Sequence, residues 1–400
     1  MKAYLKSVFT DQKYNINRLT EYGLDKEPLE VIINEIKYAK VKKEKNILKR
    51  YENFLPFKKI SLNDSLGEGN TPIIKANNFL KNKIGHKNIY LKNETQNPTW
   101  SFKDRGSLMC CLLAKEMNET KIGTISTGNM GHSMAAYGAH LGLDTYVFVP
   151  DYAPEEKIKS MGIHGAKIYK ISAPSYVKMK EKVLSLADKL NLRIISGNHP
   201  IRVEGYKLIA FEIYERFKDD LPDYIAVPTS ACGHIRGIFK GFKELKKAGY
   251  IEKLPKMIVV QAKNNAPIVK ALQKNLTDII PFEDVKTLAK AITTGKPYGG
   301  KEIIVKAKKY NWLFSSVEEE DILKGQKWLA HNGLFVEPSS ATSIMAIKNL
   351  VEKNLIKKDD KVLSVLTGSG LKDTYILNKQ AINKKCIKYI NIEKILKKDI

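Results

Sequence analysis

The chain has 400 residues, of which 43% are hydrophobic and 28% are charged, and this is enough apolar material to exclude a wholly disordered chain. It carries 68 Lys and Arg against 43 Asp and Glu, a formal net charge of +25. Because the lysines are scattered and rarely alternate with aromatic residues, we expect a basic surface that attracts small anions, with no nucleic-acid or membrane partner.

Cysteine usage and hydropathy predict a cytoplasmic protein. The four cysteines, Cys110, Cys111, Cys232 and Cys386, form neither a CxxC motif nor a metal-ligand spacing, which fits a reducing compartment. The N-terminus has no apolar signal core, and no apolar run approaches the roughly 18 residues of a membrane span. The histidines are isolated in the sequence, so we expect no metal site.

The order of predicted elements indicates a charged N-terminal extension followed by an α/β unit. The apolar spacing of residues 28–36 (PLEVIINEI) is typical of a helix, so we expect residues 1–64 to form a helical extension. From about residue 85 onward, short β-rich runs alternate with helical patterns, which predicts parallel sheets covered by helices. The predicted strands are 88–91, 122–125, 145–149, 167–171, 192–196, 224–228, 257–261 and 362–366. The predicted helices are 103–117, 131–141, 154–161, 176–190, 206–217, 235–248 and 339–351.

Lys103 begins one of these helices and is a candidate nucleophile. Pro98 forces an extended entry, and Ser101 is a suitable N-cap for the helix. Because the helix dipole disfavours a cation in the first turn, this lysine has a reason to lose its proton and form a Schiff base. The same pattern also fits an ordinary capped surface helix with a cluster of charges.

Two loops of small residues each follow a predicted strand and begin a helix. Residues 126–131 (STGNMG) would expose backbone amides to an anion, and Asn129 adds a side-chain donor. Residues 229–234 (TSACGH) would bring successive amides to a helix start, which suits a phosphate. Each loop alone also fits a plain strand-to-helix turn.

An arginine and a threonine complete the set of candidate residues. Arg202, in HPIRVEG, offers the fork that recognises phosphate or carboxylate, and pairing with Glu204 is the alternative. Thr367 follows the strand 362–366 in TGSGLKD, which lacks the GxGxxG pattern of a dinucleotide site. A hydroxyl at this strand end is able to bond a pyridine nitrogen.

These motifs, in this order, resemble those of the fold-type II pyridoxal-phosphate enzymes, and most of all the threonine synthase family. NPTWSFKDRG (97–106) resembles NPTGSFKDRG, and TGSGLKD (367–373) resembles TGHGLKD. GEGNTP (67–72), AKAITTGKP (289–297) and LFVEPSSAT (334–342) match three further stretches of that family. The resemblance covers roughly residues 65–375.

The resemblance implies roles for individual residues. Lys103 would hold pyridoxal 5′-phosphate as a Schiff base and move the substrate's protons, Asn129 would bond the 3′ oxygen, and Thr367 would bond the pyridine nitrogen. The residues implied to bind the cofactor's phosphate are Ser230, Ala231, Cys232, Gly233 and His234. The residues implied to bind substrate are Ser126, Thr127 and Gly128, at its carboxylate, and Arg202, at its phosphate.

The implied fold is the fold-type II α/β architecture, like the tryptophan synthase β subunit, with two open twisted sheets and flanking helices. It implies a large pyridoxal-phosphate domain (65–120 and 200–378), a small domain (121–199) and a C-terminal tail (379–400), with the cofactor in the cleft between the domains. We expect a homodimer.

The implied activity is the conversion of O-phospho-L-homoserine and water to L-threonine and phosphate. An alternative is a related pyridoxal-phosphate lyase or β-replacement enzyme that acts on O-phosphoserine, serine or threonine. A non-enzymatic scaffold is a third, disfavoured because Lys103, Asn129 and Thr367 are all present. The departures from the family pattern include Trp100 in place of glycine and His199 in place of asparagine.

Overall fold

The structure is a computed structural model. It describes residues 3–16, 21–34, 36, 42–187, 189–283 and 285–382. Most of the expected C-terminal tail, including Cys386, therefore lies outside the described residues.

The N-terminal extension forms a small sheet instead of the helical unit that the sequence predicts. Strands β1 (Ala3–Ser7), β2 (Lys13–Tyr14) and β3 (Leu29–Ile33) are antiparallel, in the order β2-β1-β3. The expected helix over 28–36 is wrong, because every second residue of β3 is buried, which is the period of a strand. In the described part of the extension, α1 (Ile47–Arg50) is the only α-helix.

Strands and helices alternate through the rest of the described chain, as the sequence predicts. The strands are β4 (Ile73–Lys75), β5 (Ile89–Asn93), β6 (Lys121–Ile125), β7 (Asp144–Pro150), β8 (Lys167–Ile171), β9 (Arg193–Ile194), β10 (Tyr224–Pro228), β11 (Lys256–Ala262), β12 (Leu313–Val317) and β13 (Val362–Leu366). The helices are α2 (Asn78–Ile84), α3 (Lys103–Glu116), α4 (Asn129–His140), α5 (Glu155–Gly162), α6 (Tyr176–Ala187), α7 (Pro200–Tyr206), α8 (Leu208–Phe217), α9 (Gly233–Lys247), α10 (Pro267–Gln273), α11 (Gly300–Lys309), α12 (Glu319–His331) and α13 (Pro338–Glu352). Among the described residues, none of the helices is both long enough and apolar enough to cross a membrane.

The strands form two mainly parallel sheets. One has six strands in the order β12-β11-β10-β13-β5-β4, and the other has four in the order β8-β7-β6-β9. Among the described strands of these two sheets, only β4 runs antiparallel to its neighbour. All of β13 and nearly all of β10 are buried, as expected for parallel strands covered by helices on both faces. The two-sheet α/β architecture is confirmed, while the boundaries of the large and small domains stay a prediction.

The sheet order places the candidate loops at one end of the molecule. The segments with Lys103, the 229–234 loop and Thr367 follow β5, β10 and β13, which are parallel neighbours in the six-stranded sheet. The loop with Asn129 follows β6 of the four-stranded sheet. Because ligands of such folds lie beyond the carboxyl ends of the strands, this is where a site is expected.

Close packing of α3 against α7 fixes the start of α3. At Gly205 of α7, a Cβ atom would lie 1.9 Å from the carbonyl oxygen of Arg105. The Arg105 guanidinium is buried and donates to Glu94 and Glu212, each at a shortest distance of 2.6 Å. The glycine therefore permits a backbone approach that a side chain would prevent, and the ion pairs hold α3 to α8 and to the residue that follows β5.

Candidate active site

The Lys103 amine lies in a pocket where it has no partner of opposite charge. Its Nζ lies 4.4 Å from the centre of the Phe102 ring, and within the described residues it forms no hydrogen bond or ion pair. Burial lowers the pKa of Lys103 to about 7, the charge of Arg202 acts in the same direction, and Glu337 opposes both. About half of the amine is therefore neutral near pH 7, and this neutral fraction is a nucleophile and a base.

The loop before Lys103 differs from the predicted capped helix start. Phe102 occupies the N-cap position without a side-chain bond, so the prediction that Ser101 caps α3 is wrong. Ser101 instead forms a β-bridge with Gly368, which turns it toward the end of β13. Its Oγ atom is buried and has no hydrogen-bond partner within the described residues. Trp100 adopts a left-handed conformation with φ of 62°, and its side chain is 47% exposed.

Asn129 and Thr367 come from different sheets and meet at one buried carboxylate. Glu337, which precedes α13, accepts hydrogen bonds from Asn129 Nδ2 at 2.8 Å and from Thr367 Oγ1 at 3.2 Å. Burial raises the pKa of Glu337. Glu337 lies in the sequence motif 334–342, but that motif does not identify it as a site residue, because its bond to Asn129 joins residues that are distant in sequence.

The Thr367 hydroxyl is held in place from several directions. Its Oγ1 lies 2.8 Å from Ser340 Oγ, and its carbonyl oxygen accepts from the Phe102 amide at 3.0 Å. This backbone bond ties the end of β13 to the residue just before Lys103. The structure therefore brings Lys103, Asn129 and Thr367 into one cleft.

The 229–234 loop presents unpaired backbone donors at the start of α9. Within the described residues, the amides from Ser230 to His234 donate to no protein acceptor. Cys232 is in the left-handed region, and a Cβ atom at Gly233 would lie 2.6 Å from the carbonyl oxygen of Gly197. Burial raises the pKa of the Cys232 thiol, so this cysteine is an inert part of the loop.

His234 places a neutral imidazole beside the lysine. Its ring stacks on Phe102 with a centroid distance of 3.7 Å and an interplanar angle of 17°. Both ring nitrogens are buried without a hydrogen-bond partner in the described structure. Burial and the charge of Lys103 hold the pKa of His234 well below its usual value. The resemblance implied that His234 binds the cofactor's phosphate, and it did not indicate the contact of this ring with Phe102.

In the 126–131 loop, some backbone amides bond within the loop and others are free to bind a ligand. Ser126 Oγ accepts from the amides of Gly128 at 3.3 Å and Gly131 at 3.1 Å. The amides of Thr127 and Asn129 have no acceptor among the described residues. A Cβ atom at Gly128 would meet nothing within 4 Å, so this residue borders open space. Ser126 therefore shapes the loop, while Thr127 and Asn129 offer free donors.

Arg202 is a fully buried cation without an acidic partner in the described chain. Its Nε donates to Ser196 O at 3.0 Å, and its Nη1 donates to Ser107 Oγ at 3.1 Å. Its Nη2 lies 3.1 Å from the sulfur of Met134, which is a weak acceptor. A buried guanidinium with uncommitted N–H groups is a strong attractor for an anion.

Glu204, the alternative partner that the sequence offers for Arg202, pairs with two lysines instead. Glu204 accepts from Lys207 Nζ at 2.5 Å and also pairs with Lys240. The Arg202–Glu204 pair that the sequence left open is therefore absent among the described residues.

A lysine that sequence reasoning missed joins the loop after β13 to α4. Lys372 Nζ donates to Thr99 O at 2.7 Å and lies 2.8 Å from His132 Nδ1. Burial lowers the pKa of Lys372 to about 8 and that of His132 to about 3. The His132 and His164 rings, separate in sequence, lie 5.3 Å apart. This contact closes one side of the cleft.

Comparison with families and relatives agrees with this geometry. Residues 65–368 match the model of the family described as "Pyridoxal-phosphate dependent enzyme". The chain is 37% identical to a threonine synthase of Methanocaldococcus jannaschii over 346 residues, covering 86% of this chain and 85% of that protein. It is 36% identical to a threonine synthase of Halalkalibacterium halodurans, covering 82% of this chain and 90% of that protein.

Solved structures with low sequence identity share the fold. The processed form of threonine deaminase isoform 2 from Solanum lycopersicum aligns with a TM-score of 0.64 at 20% identity, covering 82% of each chain. An O-ureido-L-serine synthase variant aligns with a TM-score of 0.66 at 16% identity, covering 86% of this chain and 99% of that one. At these identities the likeness concerns the fold alone.

Proposed function

The chain belongs to the pyridoxal-phosphate dependent enzyme family, and we propose that it converts O-phospho-L-homoserine and water to L-threonine and inorganic phosphate. The two relatives at 37% and 36% identity are threonine synthases that align over most of their length. The observation that carries the proposal is a half-buried amine with a lowered pKa, Lys103, under the influence of a buried guanidinium, Arg202, that lacks an acidic partner in the described chain. The first suits the cofactor, and the second suits a phosphorylated substrate.

The residues of the cleft fit pyridoxal 5′-phosphate. Lys103 would hold the aldehyde carbon, and the unpaired amides from Ser230 to His234 would hold the phosphate. Asn129 and Thr367 would turn from Glu337 to the oxygen and nitrogen of the ring. The buried Ser101 hydroxyl without a partner is a further donor at this place. Bound there, the cofactor supplies an electron sink that acidifies the C–H bonds of the amino acid.

Lys103 is the acid and base of the proposed reaction. Its pKa of about 7 lies near the working pH, so Nζ is able both to take and to return a proton. The hydroxyl of Thr367 is a neutral donor, and a neutral donor leaves a pyridine nitrogen unprotonated. Thr127 and Asn129 offer amide donors to the substrate's carboxylate.

Arg202 would hold the phosphate as it leaves. A buried guanidinium stabilises the charge that develops on a departing phosphate, and it does so without reorganisation because neighbouring residues already fix it. Exclusion of water from the pocket strengthens this interaction.

Turnover of three substrates tests the proposal. We expect the purified, cofactor-loaded enzyme to release phosphate and threonine from O-phospho-L-homoserine, with little turnover of O-phosphoserine or threonine. Lys103→Ala is expected to lose the visible absorbance of the loaded enzyme together with activity, while Lys115→Ala, farther along α3, keeps both. Turnover of O-phosphoserine alone would establish the β-replacement alternative instead.

We further propose that the enzyme works in the cytoplasm as a homodimer on a small amino-acid substrate. Cys110, Cys111 and Cys232 are free and buried, as suits a reducing compartment. Light scattering coupled to size-exclusion chromatography is expected to give twice the 45.3 kDa mass of one chain. A mass equal to one chain would contradict the dimer.

A further inference from the structure

The N-terminal extension contains a short turn whose first residue contacts the loop before α7. We call residues 21–28 the N-terminal strap. Tyr22 forms an antiparallel bridge with Pro28, and the Gly23 amide donates to Glu27 O at 2.9 Å, so the segment folds back on itself. Its anchor is β3, where Leu29 O accepts from Arg236 Nη2 at 2.8 Å. The strap is therefore a structured element held on α9.

The first residue of the strap places its carboxyl group against the loop that precedes α7. Glu21 Oε1 accepts a hydrogen bond from the Ser196 amide. The carbonyl oxygen of the same residue, Ser196, accepts from Arg202 Nε at 3.0 Å. The positive charges of Lys180 and Arg202 both act on the Glu21 carboxylate. Glu21, which belongs to the N-terminal extension, is therefore an acidic residue on which the charge of Arg202 acts.

Tyr22, the residue after Glu21, holds the strap against the segment before α11. The Tyr22 ring packs on Tyr298, which precedes α11, with a centroid distance of 5.0 Å. Lys180 of α6 lies 5.7 Å from the centre of the same Tyr298 ring. The start of the strap therefore contacts the loop after β9, through Ser196, and the segment before α11, through Tyr298.

The surroundings of Glu21 suit an anion more highly charged than a carboxylate. Burial disfavours an ionised carboxylate and raises the pKa of Glu21, although the Ser196 amide, Lys180 and Arg202 all act in the opposite direction. A phosphate monoester carries more charge and more acceptor oxygens, so the same groups attract it more strongly. The Glu21 carboxyl and a phosphate would need the same amide and the same cations, so only one of them is able to occupy this place.

We propose that the N-terminal strap occupies the substrate's phosphate subsite when no substrate is bound, with the Glu21 carboxylate in place of the phosphate, and that phosphate binding displaces the strap. The proposal rests on the proposed function for the identity of the substrate. The competition itself concerns any phosphate at the Arg202 side of the cleft.

Binding of inorganic phosphate to the cofactor-loaded enzyme tests the competition directly. If the strap occupies the subsite in about nine molecules of ten, Glu21→Gln tightens the phosphate Kd about tenfold by removing the competitor. Calorimetric titration measures this Kd without turnover. Glu181→Gln, at an exposed residue of α6, is the matched control that removes the same charge nearby and leaves the Kd unchanged. An unchanged or weaker phosphate Kd in Glu21→Gln overturns the proposal.

Hydrogen exchange distinguishes displacement from simple closure. Saturating phosphate is expected to speed amide exchange in peptides that cover residues 21–28 of the native chain, because the strap leaves its contacts. Slower exchange there would mean that the strap closes over the phosphate, which contradicts displacement. Both measurements use phosphate alone, so they stand even if O-phospho-L-homoserine is not turned over, and that failure would count only against the proposed reaction.

Discussion

The reactivity of the Lys103 amine depends on the groups around its Nζ atom. Burial is the main cause of its low pKa of about 7, Arg202 adds to the effect, and Glu337 opposes it. The helix dipole, on which the sequence argument relied, is not needed to explain this pKa. The fold, by placing two residues distant in sequence beside Lys103, adjusts an amine that would otherwise be charged.

The pH dependence of cofactor binding follows from this pKa. An amine attacks an aldehyde only when it is neutral, so we expect the rate of pyridoxal-phosphate binding to the cofactor-free protein to rise with pH, with a midpoint near 7 instead of 10.5. Removing a cation raises the pKa, so Arg202→Gln moves the midpoint up. Removing an anion lowers it, so Glu337→Gln moves the midpoint down. Stopped-flow absorbance measures the rate, and equal shifts in one direction would contradict the assignment.

The backbone conformation of Trp100 is strained for every residue except glycine, which is the usual residue at this position in the family. Its φ of 62° is a conformation in which glycine is unstrained and other residues lose about 1–2 kcal/mol. We expect Trp100→Gly to raise the free energy of unfolding by up to about 1 kcal/mol, as measured by urea denaturation. Trp100→Ala keeps the strained backbone and serves as the control. Equal stabilisation by both changes would show that the backbone conformation is not responsible.

The sequence predicted helices and strands best where the hydrophobic periodicity extended over several residues or where turn residues marked both ends of the segment. The predicted strands 167–171, 224–228 and 362–366 coincide with β8, β10 and β13. The helix predicted over 206–217 corresponds to α8, which begins at Leu208, while α7 over Pro200–Tyr206 was not predicted. Short apolar runs are compatible with either period, which is why β3 was mistaken for a helix.

The candidate site was predictable to the extent that local motifs carry it. Lys103, Asn129 and Thr367 were identified from their motifs, and the structure brings them together in one cleft. Glu337, Lys372 and Glu21 were missed, because their importance comes from burial and from partners more than 150 residues away in sequence. Such pairings depend on the tertiary fold, and no local spacing encodes them.

The crossing of α3 and α7 makes a prediction about Gly205. A methyl group there would lie 1.9 Å from Arg105 O, a contact that only a backbone shift could relieve. We therefore expect Gly205→Ala to lower the free energy of unfolding by at least about 3 kcal/mol. Gly162→Ala, at the end of α5, is the control, because its nearest atom would lie at an ordinary 3.6 Å. A small effect at Gly205 in urea denaturation would mean that the two helices separate easily.

On the scale of the whole molecule, contacts across the cleft join the two main sheets. Asn129 of α4 bonds Glu337, and His132 of the same helix lies 2.8 Å from Lys372 Nζ. Lys157 of α5 adds an ion pair with Asp373 at 3.3 Å. These contacts hold α4 and α5 against the loop after β13, and they close one side of the cleft beside Lys103.

Removing Lys372 is expected to loosen this closure. Loss of its bonds to Thr99 and His132 costs roughly 1.5 kcal/mol, so amide exchange in α4 and α5 of Lys372→Met should be about tenfold faster than in the native protein. Lys167→Met, at an exposed ion pair on β8, is the matched control and should leave exchange in both helices unchanged. Unchanged exchange in Lys372→Met would mean that other contacts suffice for closure.

The half-exposed indole of Trp100 gives the protein a built-in optical reporter. The chain has three tryptophans, and only Trp100 is close in sequence to Lys103. If Lys103 holds the cofactor as proposed, the cofactor absorbs where this indole emits, and we expect energy transfer to quench the emission when the cleft is filled. Trp312, which is buried under α9, supplies a second signal from the interior. Filling and emptying of the cleft are therefore visible in intrinsic fluorescence, without any added label.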